Sequence, residues 1–402
     1  MFTAEEKKNV IDELQNYMEG ISIINTHCHH WKNDILVNTG IDFLLSNSYP
    51  GWMTNAPVHE KDDICAYINM YRSNSYFRWL FLALEKLYNL SFTAENFDKL
   101  DMKIKEANGD SSYNIRILKN VCKYEKVILD YYMEPGSNND HPELFTPTYR
   151  IDMYLNGWKY DGADINGVKV RNMVDMSAVE SLEDYVKVME DQIVLHKKMG
   201  CVALKLATAY ERDNNFTNNN YKLAQEAFNN KDASAEQIKN FGDYIVWKAS
   251  EFSAKYDMPF QIHTGLGKIE NSNAINLVKL IKENPQTKFV LFHGSFPWTD
   301  DLLALLHNCK NVYADICWLP MISPVAAIRF IKEALETADS HRICWGCDTW
   351  TSEESYGAVI AFKHVLSLAL ADMIEDGAFD IEYAKYIATR IMRDNAKEIF
   401  GI

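Results

Sequence analysis

Three histidines close one short apolar run, Ile21-Ser22-Ile23-Ile24-Asn25-Thr26-His27-Cys28-His29-His30. If the run is a β-strand, His27 and His29 leave it on the same face, because side chains alternate. Two imidazoles side by side at a strand end can chelate one metal ion. His30 then falls on the opposite face, as a structural residue. The same motif recurs downstream. Gln261-Ile262-His263-Thr264-Gly265 and Phe292-His293-Gly294 each end an apolar run in histidine and glycine, and Gly346-Cys347-Asp348 ends one in aspartate. A fourth run, Cys201 to Ala207, carries Lys205. One such histidine alone is more often a structured loop residue than a ligand. Several at separate strand ends change the balance, provided the fold brings those ends together. Imidazole nitrogens with a carboxylate suit zinc, and also manganese, nickel or ferrous iron. A divalent ion would lower the pKa of a bound water and polarise a substrate. Asp348 can bind the ion and take the proton from that water. His293 is a ligand or a hydrogen-bond donor to a developing oxyanion. Lys205 has three open roles: a buried ion pair with a carboxylate such as Asp348, a grip on a substrate carboxylate, or a carboxylated bridge between two metals.

The elements that must position these residues follow from periodicity. Ala4 to Met18 reads as an amphipathic helix, with Val10, Ile11, Leu14 and Met18 at helical spacing. From residue 182 onward, apolar strand-like runs alternate with helical stretches through short connections. That pattern argues for parallel β/α units. Polar residues at successive strand ends are the layout of a (β/α)8 barrel of the TIM type, whose active site lies at the C-terminal face. An open doubly wound sheet would carry a glycine-rich phosphate loop after an early strand, and none is seen. Residues 32–125 show little strand signal and read as a helical insertion after the first strand. The barrel is therefore expected over 1–31 and 126–402. A further strand is expected at Lys126 to Asp130; Tyr149 to Leu155 and Val168 to Val174 both have strand character, one as a barrel strand and the other as part of a local excursion, and Leu223 to Lys255 reads as helical with a break near Asn229-Asn230. Asp130 and Asp315 also fall at strand ends, either as supporting residues for the centre or as solvated strand-end aspartates.

The 402 residues, 47% of them apolar, are enough for a sizeable core. A formal charge of -15 disfavours a nucleic-acid or anionic-membrane surface, but a site can still be locally positive for a small anion. The 8 cysteines lack paired metal spacing apart from a lone Cys344-x-x-Cys347, and fit reduced core residues of a cytoplasmic protein. No signal peptide is legible in Met1 to Asn9, and no stretch is expected to span a bilayer. The aromatic-rich segment 76–90 could close the core or serve a homo-oligomer contact.

Several motifs carry a family resemblance. Thr26-His27-Cys28-His29 resembles the HxH of strand one in the amidohydrolase superfamily. His263, His293 and Asp348 resemble its strand-five, strand-six and strand-eight residues. Arg390 through Gly401 resembles the closing helix of the amidohydrolase-2 branch. Leu204-Lys205 through Ala209-Tyr210-Glu211-Arg212, with QIHTGLG and Asn311 to Asp315, is similar to the amidohydrolase-like domain fused to glutamine-synthetase-like proteins. Tyr71-Arg72 and Phe77-Arg78-Trp79 more weakly resemble uronate isomerases. The resemblance implies that His27, His29, His263 and Asp348 are metal ligands. It makes His293 a second-metal ligand or a substrate-polarising residue, and places Lys205 where some members carry a carboxylated lysine.

The first expectation is a hydrolase in which a metal-activated water attacks a small, carboxylate-bearing substrate. Asp348, His293 and Lys205 are its catalytic candidates. Arg72, Arg78, Tyr210 and Arg212 are candidates for holding the carboxylate. The alternatives are a nonoxidative metal-dependent decarboxylase, a uronate-type isomerase, and a non-enzymatic binding scaffold.

Overall fold

The computed structural model describes residues 2–159 and 162–402. Eight parallel strands form a single sheet in sequential order: β1 (Ile23–Cys28), β2 (Tyr124–Leu129), β3 (Phe145–Arg150), β4 (Ala203–Leu206), β5 (Phe260–Ile262), β6 (Phe289–Leu291), β7 (Val312–Asp315) and β8 (Ile343–Cys344). Parallel strands covered on both faces need apolar residues on both, and β1, β4, β5 and β6 are buried at every position. The chain just beyond β8 returns to β1 through backbone bonds, Thr26 N–H to Trp345 O at 3.2 Å and Asp348 N–H to His27 O at 2.9 Å. Gly346 permits that approach, since a Cβ there would lie 2.5 Å from the His27 nitrogen. The result is a nearly closed (β/α)8 barrel of the TIM type with helical insertions.

Register sets a polar layer inside this apolar frame. Arg150 of β3 pairs with Lys205 of β4, and Lys205 with Gln261 of β5. Three long polar side chains thus stand level on neighbouring strands.

Between β1 and β2 the chain forms helices, among them Pro50–Met53, Lys61–Tyr71, Ser75–Tyr88 and Phe97–Asn108. Helix Ser75–Tyr88 buries Phe77, Trp79, Leu80, Phe81 and Leu84. It packs on helix Ser352–Glu375, where a Cβ on Gly357 would lie 2.9 Å from the Trp79 carbonyl oxygen. The Tyr88 hydroxyl donates to Glu353 at 2.8 Å across this contact.

Two expectations change. Helix Ser352–Glu375, with 24 residues, is long and apolar enough by composition to cross a bilayer, contrary to the sequence reading. Most of it is buried between the barrel and the insertion, which accounts for its hydropathy. The third strand lies at Phe145–Arg150, earlier than expected, and Val168 to Val174 holds only a 3-10 turn, Val170–Asn172. The helical stretch Leu223 to Lys255 is broken around the expected Asn229-Asn230, into Tyr221–Gln225 and Ala235–Lys255, the second capped by the Ser234 hydroxyl and the Gln237 side chain.

Candidate metal centre

The strand ends converge as the barrel requires. His27 Nε2 and His29 Nε2 approach the same Asp348 oxygen, Oδ1, at 3.3 and 3.2 Å. Across the mouth, His263 Nδ1 faces His293 Nε2 at 3.1 Å. His293 and Asp348 hold positive φ angles of 63° and 56°. That region is unfavourable for residues bearing a Cβ, and such strain concentrates at functional sites.

The hydrogen bonds fix which nitrogens are bare. His29 Nδ1 donates to the Asp130 carbonyl at 2.7 Å, so its Nε2 lone pair faces the Asp348 carboxylate. His293 Nδ1 lies 3.1 Å from the Cys317 carbonyl, and His263 Nε2 meets the Leu266 carbonyl. Both must donate there, which leaves His263 Nδ1 and His293 Nε2 as two lone pairs pointed at one another. Each of these acceptor–acceptor contacts needs a proton or a cation between them. A centre with bonds of about 2.1 Å has ligand–ligand edges of about 3.0–3.4 Å. The observed separations of 3.1–3.3 Å are of that size. His27 Nδ1 is buried without a partner.

Two ligand groups are formed among the described residues: His27, His29 and Asp348, and His293, Cys317 and Asp348, each with its donor atoms within 4.8 Å of one another. The nitrogen and carboxylate donors of the first fit a divalent transition ion without selecting one. Burial lowers His27 to a pKa of about 3 and His293 to about 4, and holds His263 well below the histidine range. The imidazoles are thus neutral and available as ligands at neutral pH. Burial raises the Asp348 carboxyl, but His27 and His29 outweigh it and keep the group ionised.

Beside the ligands stands a charged wall. Lys205 Nζ lies 3.2 Å from His27 Nε2, 3.9 Å from Asp130 and 3.8 Å above the Phe292 ring. Its pair is with Asp130 rather than Asp348. Arg150 forks onto Asp130 at 3.1 and 2.5 Å and reaches Asp152 at 3.1 Å. Burial opposes the charge on Asp130, yet Arg150 and Lys205 hold its pKa low, whereas burial pushes Asp152 up to about 7. The Arg150 guanidinium therefore faces Asp130, held ionised, and Asp152, pushed toward its neutral form, while burial lowers the pKa of the Lys205 ammonium beside them. Lys205, Arg150, Tyr210, the three histidines His27, His29 and His263, and Asp348 all line one cavity of about 220 Å³. Tyr49, Trp52, Tyr132 and Trp350 complete its walls. A larger cleft of about 690 Å³ opens nearby and shares Asn166 with it, but contains neither ligand group.

Of the arginines considered from sequence, none reaches this cavity. Arg72 is exposed at the end of helix Lys61–Tyr71. Arg78 lies on the outer face of helix Ser75–Tyr88, over the Trp79 ring. Arg212 turns away to Asp243 at 2.5 Å. Sequence reasoning missed Arg150, Cys317, Trp52, Tyr132 and Trp350. Arg150 and Asp152 interrupt an apolar run, and Trp350 follows Asp348 by two residues; these were the legible signals.

Residues 197–402 match the family model described as amidohydrolase. The chain belongs to this family. As an amidohydrolase it is 32% identical, over 150 residues, to protein fluG of Emericella nidulans; the match covers 36% of this chain and only 17% of that protein. Two solved structures share the fold over nearly the whole chain. Uronate isomerase of Thermotoga maritima superposes with a TM-score of 0.76 at 18% identity, covering 100% of both chains. A Lactobacillus casei protein provisionally assigned as a metal-dependent hydrolase gives 0.69 at 19% identity, covering 96% of this amidohydrolase and 97% of that chain.

Proposed function

We propose that this amidohydrolase is a metal-dependent enzyme acting on a small carboxylate-bearing substrate, and that its reaction is the aldose–ketose interconversion of a sugar acid. The observation that carries the substrate class is the cavity itself. It sets the Arg150 guanidinium and the Lys205 amine, both buried hydrogen-bond donors, beside the His27–His29–Asp348 cluster. Full-length likeness to the Thermotoga maritima uronate isomerase supports the reaction type.

In this reading Arg150 and Lys205 hold the substrate carboxylate. His27, His29, His263 and Asp348 would hold the metal, with His293 beside them, and the metal would supply polarisation of the substrate oxygens when bound. Asp348, kept ionised, accepts and returns the proton that moves between neighbouring carbons. Burial raises the Tyr210 phenol above its ordinary value, so it remains an O–H donor at neutral pH. Its ring packs 4.6 Å from His263, at the reacting end.

A second reading is hydrolysis through a metal-activated water. The lining favours it in one respect: Tyr49, Trp52, Tyr132 and Trp350 offer flat faces, and Asn166 is the one amide side chain among the described lining residues. A polyol finds few hydrogen-bond partners there, while a planar acid or lactone fits well. One experiment separates the two. Metal-loaded protein is incubated with hexuronates in D2O and, separately, with carboxylated lactones and amides in ¹⁸O-water. Ketose formation with deuterium at C1 is expected. Solvent oxygen in an acid product, with no ketose from any hexuronate, would replace isomerisation with hydrolysis. Release of carbon dioxide alone would point to decarboxylation.

A further inference from the structure

Away from the metal centre, a cleft of about 310 Å³ opens between helices Ala4–Glu19, Ser75–Tyr88 and Ser352–Glu375. Its polar lining is strongly one-sided. Arg78 and Lys86 come from the insertion helix, and Lys363 and His364 from the long barrel helix. A single carboxylate, Glu19, faces them and is paired with Lys363 at 2.9 Å. Arg78 and Lys86 meet no carboxylate among the described residues. In a chain of net charge -15 such a grouping is unusual.

Arg78 and Lys363 are also held in place. The Trp79 indole is 2% exposed and forms a rigid floor. The Arg78 guanidinium lies 4.4 Å above it, and the His364 ring 5.4 Å from it. Burial and the adjacent Arg78 charge hold His364 below its usual range, so it sits as a neutral hydrogen-bonding imidazole. Lys363 is 7% exposed, an ammonium on the buried face of the most apolar helix of the chain. Burying an ammonium is costly without compensating charge, and the exposed Glu19 supplies only one. Leu82, Val359 and Ile360 give the rest of the cleft an apolar wall.

We infer that this cleft is a second binding site, for a small organic oxyanion whose phosphate or carboxylate head lies among Arg78, Lys86, Lys363 and His364 and whose apolar stem lies against Leu82 and Ile360. The volume falls within the range of small-molecule sites, and a guanidinium and an ammonium on one wall suit a multidentate oxygen head. A bound anion would tie the insertion to the barrel, because its partners come from both. Helix Ser352–Glu375, which lines this cleft, begins two residues after Trp350, which lines the metal cavity.

The test is isothermal titration of the metal-loaded protein with phenyl phosphate and with benzoate, the first probing a phosphate head and the second a carboxylate. Saturable binding of at least one is expected, weakening with added salt. The double substitution Arg78→Glu and Lys86→Glu touches only exposed side chains. It should weaken binding by at least about tenfold, the effect of losing charge-assisted contacts, while Asp348→Asn leaves binding within about twofold of the parent. Which probe binds then fixes the head group. No saturable binding of either probe at about 10 mM overturns the inference. So does binding that survives the charge reversal, or binding that Asp348→Asn abolishes, since the anion would then sit at the metal centre. A change of mass in light scattering on charge reversal, without anion binding, would assign the cleft to a subunit contact and overturn it equally.

Discussion

Asn25 shows how the ligands are kept in place. Its Oδ1 accepts the Cys347 amide at 2.8 Å and the His27 amide at 3.3 Å, and its Nδ2 donates to the Cys347 sulfur at 2.9 Å. One buried side chain thus joins the strand end carrying His27 to the one carrying Asp348. Residues that orient metal ligands typically change affinity about 10–100-fold when removed. Asn25→Ala is therefore expected to weaken metal binding by that factor while preserving the far-ultraviolet circular dichroism. Competition with a chromophoric chelator measures it, and an unchanged affinity would remove Asn25 from this role. At this scale the sequence was informative where chemistry is tied to a strand end. His27, His29, His263, His293 and Asp348 come together because parallel strands in a barrel share one mouth. Arginines were harder to place, because a long side chain goes where its partner is. Arg212 follows Asp243, and Arg78 lies over Trp79. Arg150 sits in the cavity because Asp130 and Asp152 flank it, a triad that only strand register reveals.

Among elements, the alternation from residue 182 to the end was legible because each strand is a short apolar run bounded by helix signals. β3 was not. Its sequence, Phe145-Thr-Pro-Thr-Tyr-Arg150, contains a proline and follows a loop-rich stretch. Pro147 is accommodated because it offers only its carbonyl to the ladder, accepting from Val202 N–H at 3.1 Å. The docking of the insertion on the barrel was also hidden, since it rests on single buried groups. Glu354, fully buried, accepts the Tyr49 amide at 2.7 Å and the Trp350 amide at 3.3 Å. It therefore holds two walls of the metal cavity together, one from each part of the chain. Glu354→Ala strands both donors and should cost about 1–3 kcal/mol of stability, the penalty for unsatisfied buried groups. Urea unfolding reads this directly. A loss below about 0.5 kcal/mol, the level of a surface change, would mean that the stacking of Tyr49 on Trp318 and its edge-to-face contact with Trp350 position the mouth without Glu354.

For the molecule as a whole, the centre concentrates groups that are neutral only because they are buried, and this couples stability to pH. His27 falls from an ordinary 6.5 to about 3 and His293 to about 4, each chiefly through burial, and His263 shifts in the same direction. A lowered folded-state pKa means that the unfolded chain binds the extra proton first. The stabilising contribution is complete above pH 6.5 and is lost as pH falls from 6.5 toward 4. Each such histidine contributes at most about 1.4 kcal/mol per pH unit across that window. Metal-stripped protein should accordingly lose thermal stability steeply between pH 6.5 and 4.5. Protein loaded with a divalent ion should lose less at first, because an ion on those nitrogens excludes the proton, and then fall abruptly as the ion is released. Substituting His27→Gln and His293→Gln together should flatten the curve of the stripped protein and remove the difference between stripped and loaded forms. Differential scanning calorimetry of both forms over pH 4.5–7.5 measures all of this. If the stripped and loaded parent proteins give parallel curves, the histidines are not bound by the ion. If the double variant keeps the steep slope, the slope belongs to other titrating groups, such as the retained His263 and the half-buried His364.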